Sequence, residues 1–135
     1  MERGQTMSAR AAVGVGFSST AEAEAIARAV RQALARAGAG AAALHASERK
    51  RDSENLRRAA ESLGLALVFH AEAALRARDS DVVSRSARVQ ALAGVGSLAE
   101  AAALAGAGAG SRLVLTKFSQ DGVSCAVAIG PEDRL

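Results

Sequence analysis

Apolar and polar positions along this 135-residue chain follow two alternating periods. Ala11 to Gly16 is a short apolar run that ends at glycine, the pattern of a buried strand. Ile26, Val30 and Leu34 then recur at helical spacing, predicting a helix through about Ala37, capped by Ser19 or Thr20 and ended by Gly38. Ala41 to Ala46 reads as a second strand, weakened by its alanines. A helix starting at Asp52 or Ser53 places Leu56, Ala60 and Leu63 on one face and stops at Gly64, and Leu65 to Phe69 is a further strand. His70 to about Arg85 is irregular, reading as one helical turn and a polar loop, and Ser86 to Leu92 as a short helix. Ser97 caps a clearer helix, with Glu100 at the spacing of a capping box. "RLVLTKF" and "VSCAVAI" are two strands joined by a turn around Asp121 and Gly122, the strongest hairpin signal in the chain.

Strand and helix alternate first and a hairpin closes the chain. The expected fold is therefore α/β: three layers, α/β/α, around a mixed, mostly parallel sheet of about five strands with a C-terminal hairpin. The length suits one domain, taken as residues 11–135 behind a flexible tail of residues 1–10. Alanine supplies roughly a quarter of the residues. With no Trp, no Tyr and three Phe, the core must be built from small side chains packed closely.

The formal charge of +3 comes from arginines interspersed with acids rather than from a basic block. No aromatic residue is interleaved with these cations to stack bases, which argues against nucleic acid. No run of about 18 uncharged apolar residues could span a membrane. The start lacks an apolar signal stretch, and the one cysteine, Cys125, cannot close an internal disulfide, so a cytoplasmic protein is expected. His45, His70 and Cys125 lie in separate segments without metal-ligand spacing; no metal and no cofactor are expected, and each of the three reads as structural.

The stretch "AVGVGFSST" is neither a dinucleotide fingerprint, since Ser19 stands where the third glycine belongs, nor a P-loop, since no Gly-Lys-Ser/Thr follows. Its glycines, hydroxyls and helix start suit either a carboxylate or phosphate cradle or an ordinary capped turn. The charged run "SERKRDSE" is either a solvated loop or a route for Lys50 and Arg51 to an anion at the strand ends, where open α/β sheets bind ligands.

Read in order, "GVGFSSTAEAEAI", "KRDSENL", "LGLALVF", "SARVQALAGVGSLAEAAAL" and "RLVLTKFSQDGVSCAVA" resemble the family of CobE and the C-terminal domain of CbiG, proteins of cobalamin (vitamin B12) biosynthesis. The likeness runs from about Ala12 to Ala128. Ser18 and Ser19 stand where the family commonly has basic residues, Ser53 and Ala87 where it commonly has Glu, and Ala93 where Thr is frequent. The resemblance implies a precorrin-type tetrapyrrole as partner, and other cobalamin-pathway enzymes as further partners. Its acetate and propionate carboxylates would meet Lys50, Lys117 and helix N-termini, and Gly14 and Gly16 would let backbone approach the flat macrocycle. The candidate substrate-binding residues are Gly14, Gly16, Ser18, Ser19, Thr20, Lys50, Asp52, Ser86, Ser97, Glu100 and Lys117.

Three functions compete. The chain binds or carries a precorrin; or it hydrolyses a ring lactone or acyl substituent with Glu100 or Asp52 as general base; or it docks on another pathway enzyme without chemistry. No pair of nucleophile and base is visible in the sequence, and whether the chain catalyses a reaction stays open.

Overall fold

The computed structural model describes residues 11–131, so the tail expected over residues 1–10 lies outside the described residues. The elements run β1 (Ala11–Phe17), α1 (Ala23–Ala37), β2 (Ala41–Ser47), α2 (Glu54–Leu63), β3 (Ala66–His70), α3 (Glu72–Arg76), α4 (Ala87–Ala93), α5 (Leu98–Ala107), β4 (Arg112–Gln120) and β5 (Val123–Ile129). Short 3-10 turns occupy Glu48–Lys50 and Asp79–Asp81.

The strands form one sheet in the order β3-β2-β1-β5-β4. β1 pairs parallel with β2, and β2 parallel with β3. β5 is antiparallel to both β1 and β4, so four of the five strands point the same way and β5 alone runs back between them. This is the mixed, mostly parallel sheet expected from the sequence. The hairpin turn has positive φ at Asp121 (55°) and Gly122 (81°), the backbone that an Asp-Gly pair supplies to a two-residue loop.

Alternation along the strands divides the core in two. Val13, Val15, Leu44, Ala46, Val123, Cys125, Val127 and Ile129 pack against Ile26, Ala29, Val30 and Ala33 of α1 and Leu56, Ala59 and Ala60 of α2. On the other face Ala126 and Ala128 meet α5 through Ala99 and Ala101 to Leu104, with Leu75 and Val82 beyond. Helices thus cover both faces, completing three layers. Apart from Glu100, α5 is apolar on every face and largely enclosed, as such a helix must be.

Gly14 explains how closely α5 sits. A Cβ at this position would fall 2.1 Å from the carbonyl oxygen of Ala99 and 2.5 Å from the Ala103 nitrogen. The glycine therefore serves helix-on-strand packing, and the alanines of α5 complete the fit. At the far end of α5 the Arg78 guanidinium donates to the carbonyls of Leu104 (2.8 Å) and Gly108 (3.0 Å), using a cation to satisfy the last carbonyls of the helix.

Two capping expectations are corrected. Neither Ser19 nor Thr20 caps α1. The Ala21 N–H bonds to the Ser18 carbonyl in a tight turn, the helix begins only after an extended Glu22, and the Ser18 and Thr20 hydroxyls bond each other at 3.2 Å. Ser97 does cap α5, its hydroxyl accepting the Glu100 N–H at 3.2 Å. The Glu100 side chain, however, turns away from the capping box into the interior. Ser53, one of the two expected candidates, caps α2, and Ser86 caps α4.

Candidate functional site

A cleft of about 510 Å³ opens at the carboxyl ends of β1 and β2, where open α/β sheets bind ligands. One side is the β1–α1 turn, Gly16 to Ser19. That turn is held in place by the Ser18 N–H on the Gly122 carbonyl (3.2 Å) and by the Asn55 amide on the Ala21 carbonyl (3.0 Å). The 3-10 turn after β2 adds Arg49 and Lys50, α4 adds Arg88, Val89 and Leu92, and the first turn of α5 adds Ser97, Leu98 and Ala99. Lys117 of β4 and Ser124 of β5 close the far side.

Lys117 reaches the cleft because β4 is irregular. Leu115 pairs with Val127 and Phe118 with Cys125, so three steps along β4 match two along β5. Leu115 and Phe118 both pack in the α1–α2 core. In strict alternation from Leu115, Lys117 would share that face; the extra residue puts it on the α5 side instead, the re-aiming a bulge performs. The same bulge gives its N–H to the carboxylate of Glu100 rather than to a neighbouring strand, at 2.7 Å.

Of the residues singled out from the sequence, Gly16, Ser18, Ser19, Lys50, Ser86, Ser97 and Lys117 come together here. Gly14 lies behind them against α5, and Thr20 is outside the lining. Asp52 faces an adjoining groove with Ser53, Glu54 and Asn55. Glu100 is fully buried: one oxygen accepts the N–H groups of Val83 (2.7 Å) and Ser84 (2.9 Å), the other that of Lys117. Burial pushes its pKa up, but the bonds from Ser84, Lys117 and Val83 outweigh this and hold it below the ordinary value. Arg51 projects away, over the Phe69 ring at 5.4 Å.

The cleft also holds residues the sequence reading passed over: Arg49, Arg88, Val89, Leu92 and Leu98. The arginines differ in state. Arg49 is pinned, its guanidinium bonded to Glu72 and to the Leu92 carbonyl (2.6 Å). Arg88 on exposed α4 has no carboxylate partner among the described residues. Lys50 lies with its ammonium 4.4 Å from the Phe17 ring centre, and burial lowers its pKa. Arg49, Lys50, Arg88 and Lys117 thus surround the cleft, and no Asp or Glu is among its lining residues.

Outside the cleft lining, His45 and His70 are in direct contact, Nδ1 to Nε2, at 2.9 Å. One ring must donate and the other accept, so the pair carries a proton in only one of two tautomeric arrangements. His45 is 8 % exposed, and burial, then the His70 charge, bring its pKa down to about 4. Gly106 makes the room: a Cβ there would lie 2.5 Å from the imidazole of His45. Among the described residues no group of three or more His, Cys, Asp or Glu is placed to hold a metal ion, and no single helix is long and apolar enough to cross a membrane.

Known proteins share this fold. The solved structure of CobE, a protein from the cobalamin (vitamin B12) biosynthetic pathway, superposes with a TM-score of 0.80 at 33% identity, over 87% of this chain and 88% of that one. The cobalamin biosynthesis protein chiG from Agrobacterium tumefaciens str. C58 superposes with a TM-score of 0.73 at 30% identity, over 90% of this chain and 99% of that one. No curated protein sequence matches the chain significantly. The family model described as cobalamin synthesis G C-terminus matches residues 11–128, and the chain belongs to that family, as a cobalamin biosynthesis protein of the CobE and CbiG C-terminal type.

Proposed function

We propose that the cleft binds a precorrin-type tetrapyrrole through its peripheral carboxylates and presents or protects it without chemistry of its own. The observation that carries this reading is the charge of the lining: four cations on three separate walls and no carboxylate among the lining residues. Phe17, Val89, Leu92 and Leu98 add an apolar strip between them, suited to one face of a flat ring. The volume is in the ordinary range for a ligand site, and its openness to solvent suits a macrocycle larger than the cleft that enters by one edge.

Hydrolysis is less well served. The lining offers serine hydroxyls but no carboxylate, imidazole or thiol to activate them. Glu100 is committed to three backbone amides, and Asp52 faces the adjoining groove. Neither is placed as a general base.

The reading is tested by absorbance titration of the purified protein with early and late ring intermediates, repeated with Lys50→Ala, Lys117→Ala and Arg88→Ala. Arg31→Ala, on the exposed side of α1, serves as the control. Each cleft variant should weaken binding about tenfold or more, the loss of one charge-assisted contact, and the control should not. A parent protein that binds nothing at about 10 µM refutes the site, and equal binding by all four variants refutes the residue assignment. Turnover of any intermediate would favour the hydrolase.

A further inference from the structure

We infer that Glu100 is the positioning residue of this cleft, a buried brace that locks the α4 wall to the β4 wall so that Arg88 and Lys117 engage one ligand together. The inference rests on the anionic-ligand reading of the cleft given above. Its basis is where the two carboxylate oxygens go. One holds the amides of Val83 and Ser84, in the segment that leads through Ser86 into α4; the other holds the amide of Lys117 at the β4 bulge. These attachment points are 33 or more residues apart in sequence, and both lie in irregular backbone that the sheet ladder does not fix.

A capping-box glutamate would have spent its side chain on its own helix end. Here the Ser97 hydroxyl alone satisfies the Glu100 amide, which frees the carboxylate for the two walls. Only an ionised carboxylate suits the task, because three donors converge on its two oxygens. A glutamine has one acceptor oxygen, and its NH2 would face an N–H on one wall or the other. The wall on the α4 side has a second tie of the same kind: Asp79 accepts the Gly96 N–H at 2.9 Å and pairs with Arg85. That tie stays within the loop from Asp79 to Gly96 and does not reach β4.

A double-mutant cycle distinguishes a brace from a residue that merely supports the fold. The probe is uroporphyrin, a flat macrocycle bearing acetate and propionate groups, titrated at a temperature where circular dichroism shows every variant folded. Glu100→Gln should weaken binding about tenfold, as Lys117→Ala does, while the double variant should be little weaker than either alone. Losses that multiply in the double variant overturn the inference. A second measurement needs neither probe nor variant. In the parent, the amide NMR signals of Val83, Ser84 and Lys117 should move together with a single midpoint as acid is added. Amides of the two walls that titrate apart overturn the brace. If the parent does not bind uroporphyrin, the ligand reading is what fails; if Glu100→Gln does not fold, or the probe does not bind, the amide titration alone decides the brace.

Discussion

Replacing Gly14 by alanine adds one methyl group to a strand, a change that ordinarily stabilises slightly by restricting the unfolded chain, by about 0.4–1 kcal/mol. At this position the opposite is expected. The new Cβ would lie 2.1 Å from the Ala99 oxygen and 2.5 Å from the Ala103 nitrogen, where ordinary contacts are about 3.5 Å. Both obstacles are backbone atoms of α5, so no side-chain rotation relieves them, and the helix must retreat by about 1 Å. That retreat loosens Ala101, Ala102 and Leu104, each 0 % exposed, against their neighbours. Overpacking of this kind costs about 1–3 kcal/mol, and the rigid obstruction puts Gly14→Ala at about 3 kcal/mol. At about 4 °C per kcal/mol for a domain of this size, the melting temperature should drop by about 12 °C. Gly16, two residues on and on the same face, is the internal control: its Cβ would sit 3.6 Å from the Leu98 Cβ and 3.7 Å from the Ala99 nitrogen. Gly16→Ala should stay within about 0.5 kcal/mol of the parent. Urea unfolding of the three proteins reads both numbers. A Gly14→Ala protein as stable as the parent would refute the packing role and return Gly14 to the ligand turn.

The histidine pair predicts acid sensitivity above the carboxylate range. His45 has a folded pKa of about 4 against an ordinary 6.5, so the unfolded chain takes up the proton first; its share of stability is complete above pH 6.5 and declines toward pH 4, by about 3 kcal/mol. Denaturant melts from pH 7 to 4 should show this slope and His45→Asn should flatten it; an unchanged slope in the variant disproves the assignment. Cys125 is 0 % exposed and burial pushes its thiol up to about 12, so a thiol-specific reagent should label it no faster than the protein unfolds. Rapid labelling of the native protein would contradict that placement.

Much of the fold was legible because its signals are local. Val123 to Ile129 is the strand the alternation marks, and Gly38 and Gly64 end α1 and α2 in the left-handed conformation at which only glycine is comfortable. β4 runs on to Gln120 and β3 starts one residue late at Ala66, ordinary shifts of an element end. The cleft was half legible. Lys50 was found through its charged run at the strand ends, Lys117 through family resemblance, and Ser97 through its capping pattern. Arg88, Val89 and Leu92 were not, because nothing local distinguishes one face of a short, exposed helix as a wall. The cap of α1 was misread for a physical reason: Ser18 and Thr20 satisfy each other's hydroxyls in a turn, and Glu22 supplies the extended residue before the helix. Glu100 was misread because a capping box and a buried brace have the same spacing and differ only in what lies 16 or 17 residues away.

Charge placement separates the parts of this molecule that hold the fold from the part available to a ligand. Several arginines are spent close to home: Arg28 with Glu24, Arg57 and Arg58 with Glu54, Arg76 with Glu72, Arg78 with Asp81 and Arg85 with Asp79. Exposed pairs of this kind contribute little to stability, but each sets a carboxylate beside its cation. Lys50, Arg88 and Lys117 have no carboxylate partner among the described residues, and they share that with Arg31, Arg36, Arg51 and Arg112; what sets these three apart is that all of them line one cleft. Three like charges around one cleft repel one another and work against the compact state. A cleft shaped only for folding would intersperse acids among them, and none is among its lining residues. One of the three is turned into the cleft by a bulge that forfeits ladder bonds, and a buried carboxylate is held at the base of that bulge by three amides. The fold thus bears unrelieved repulsion at the cleft beside this bulge, and a bound anion would offset it.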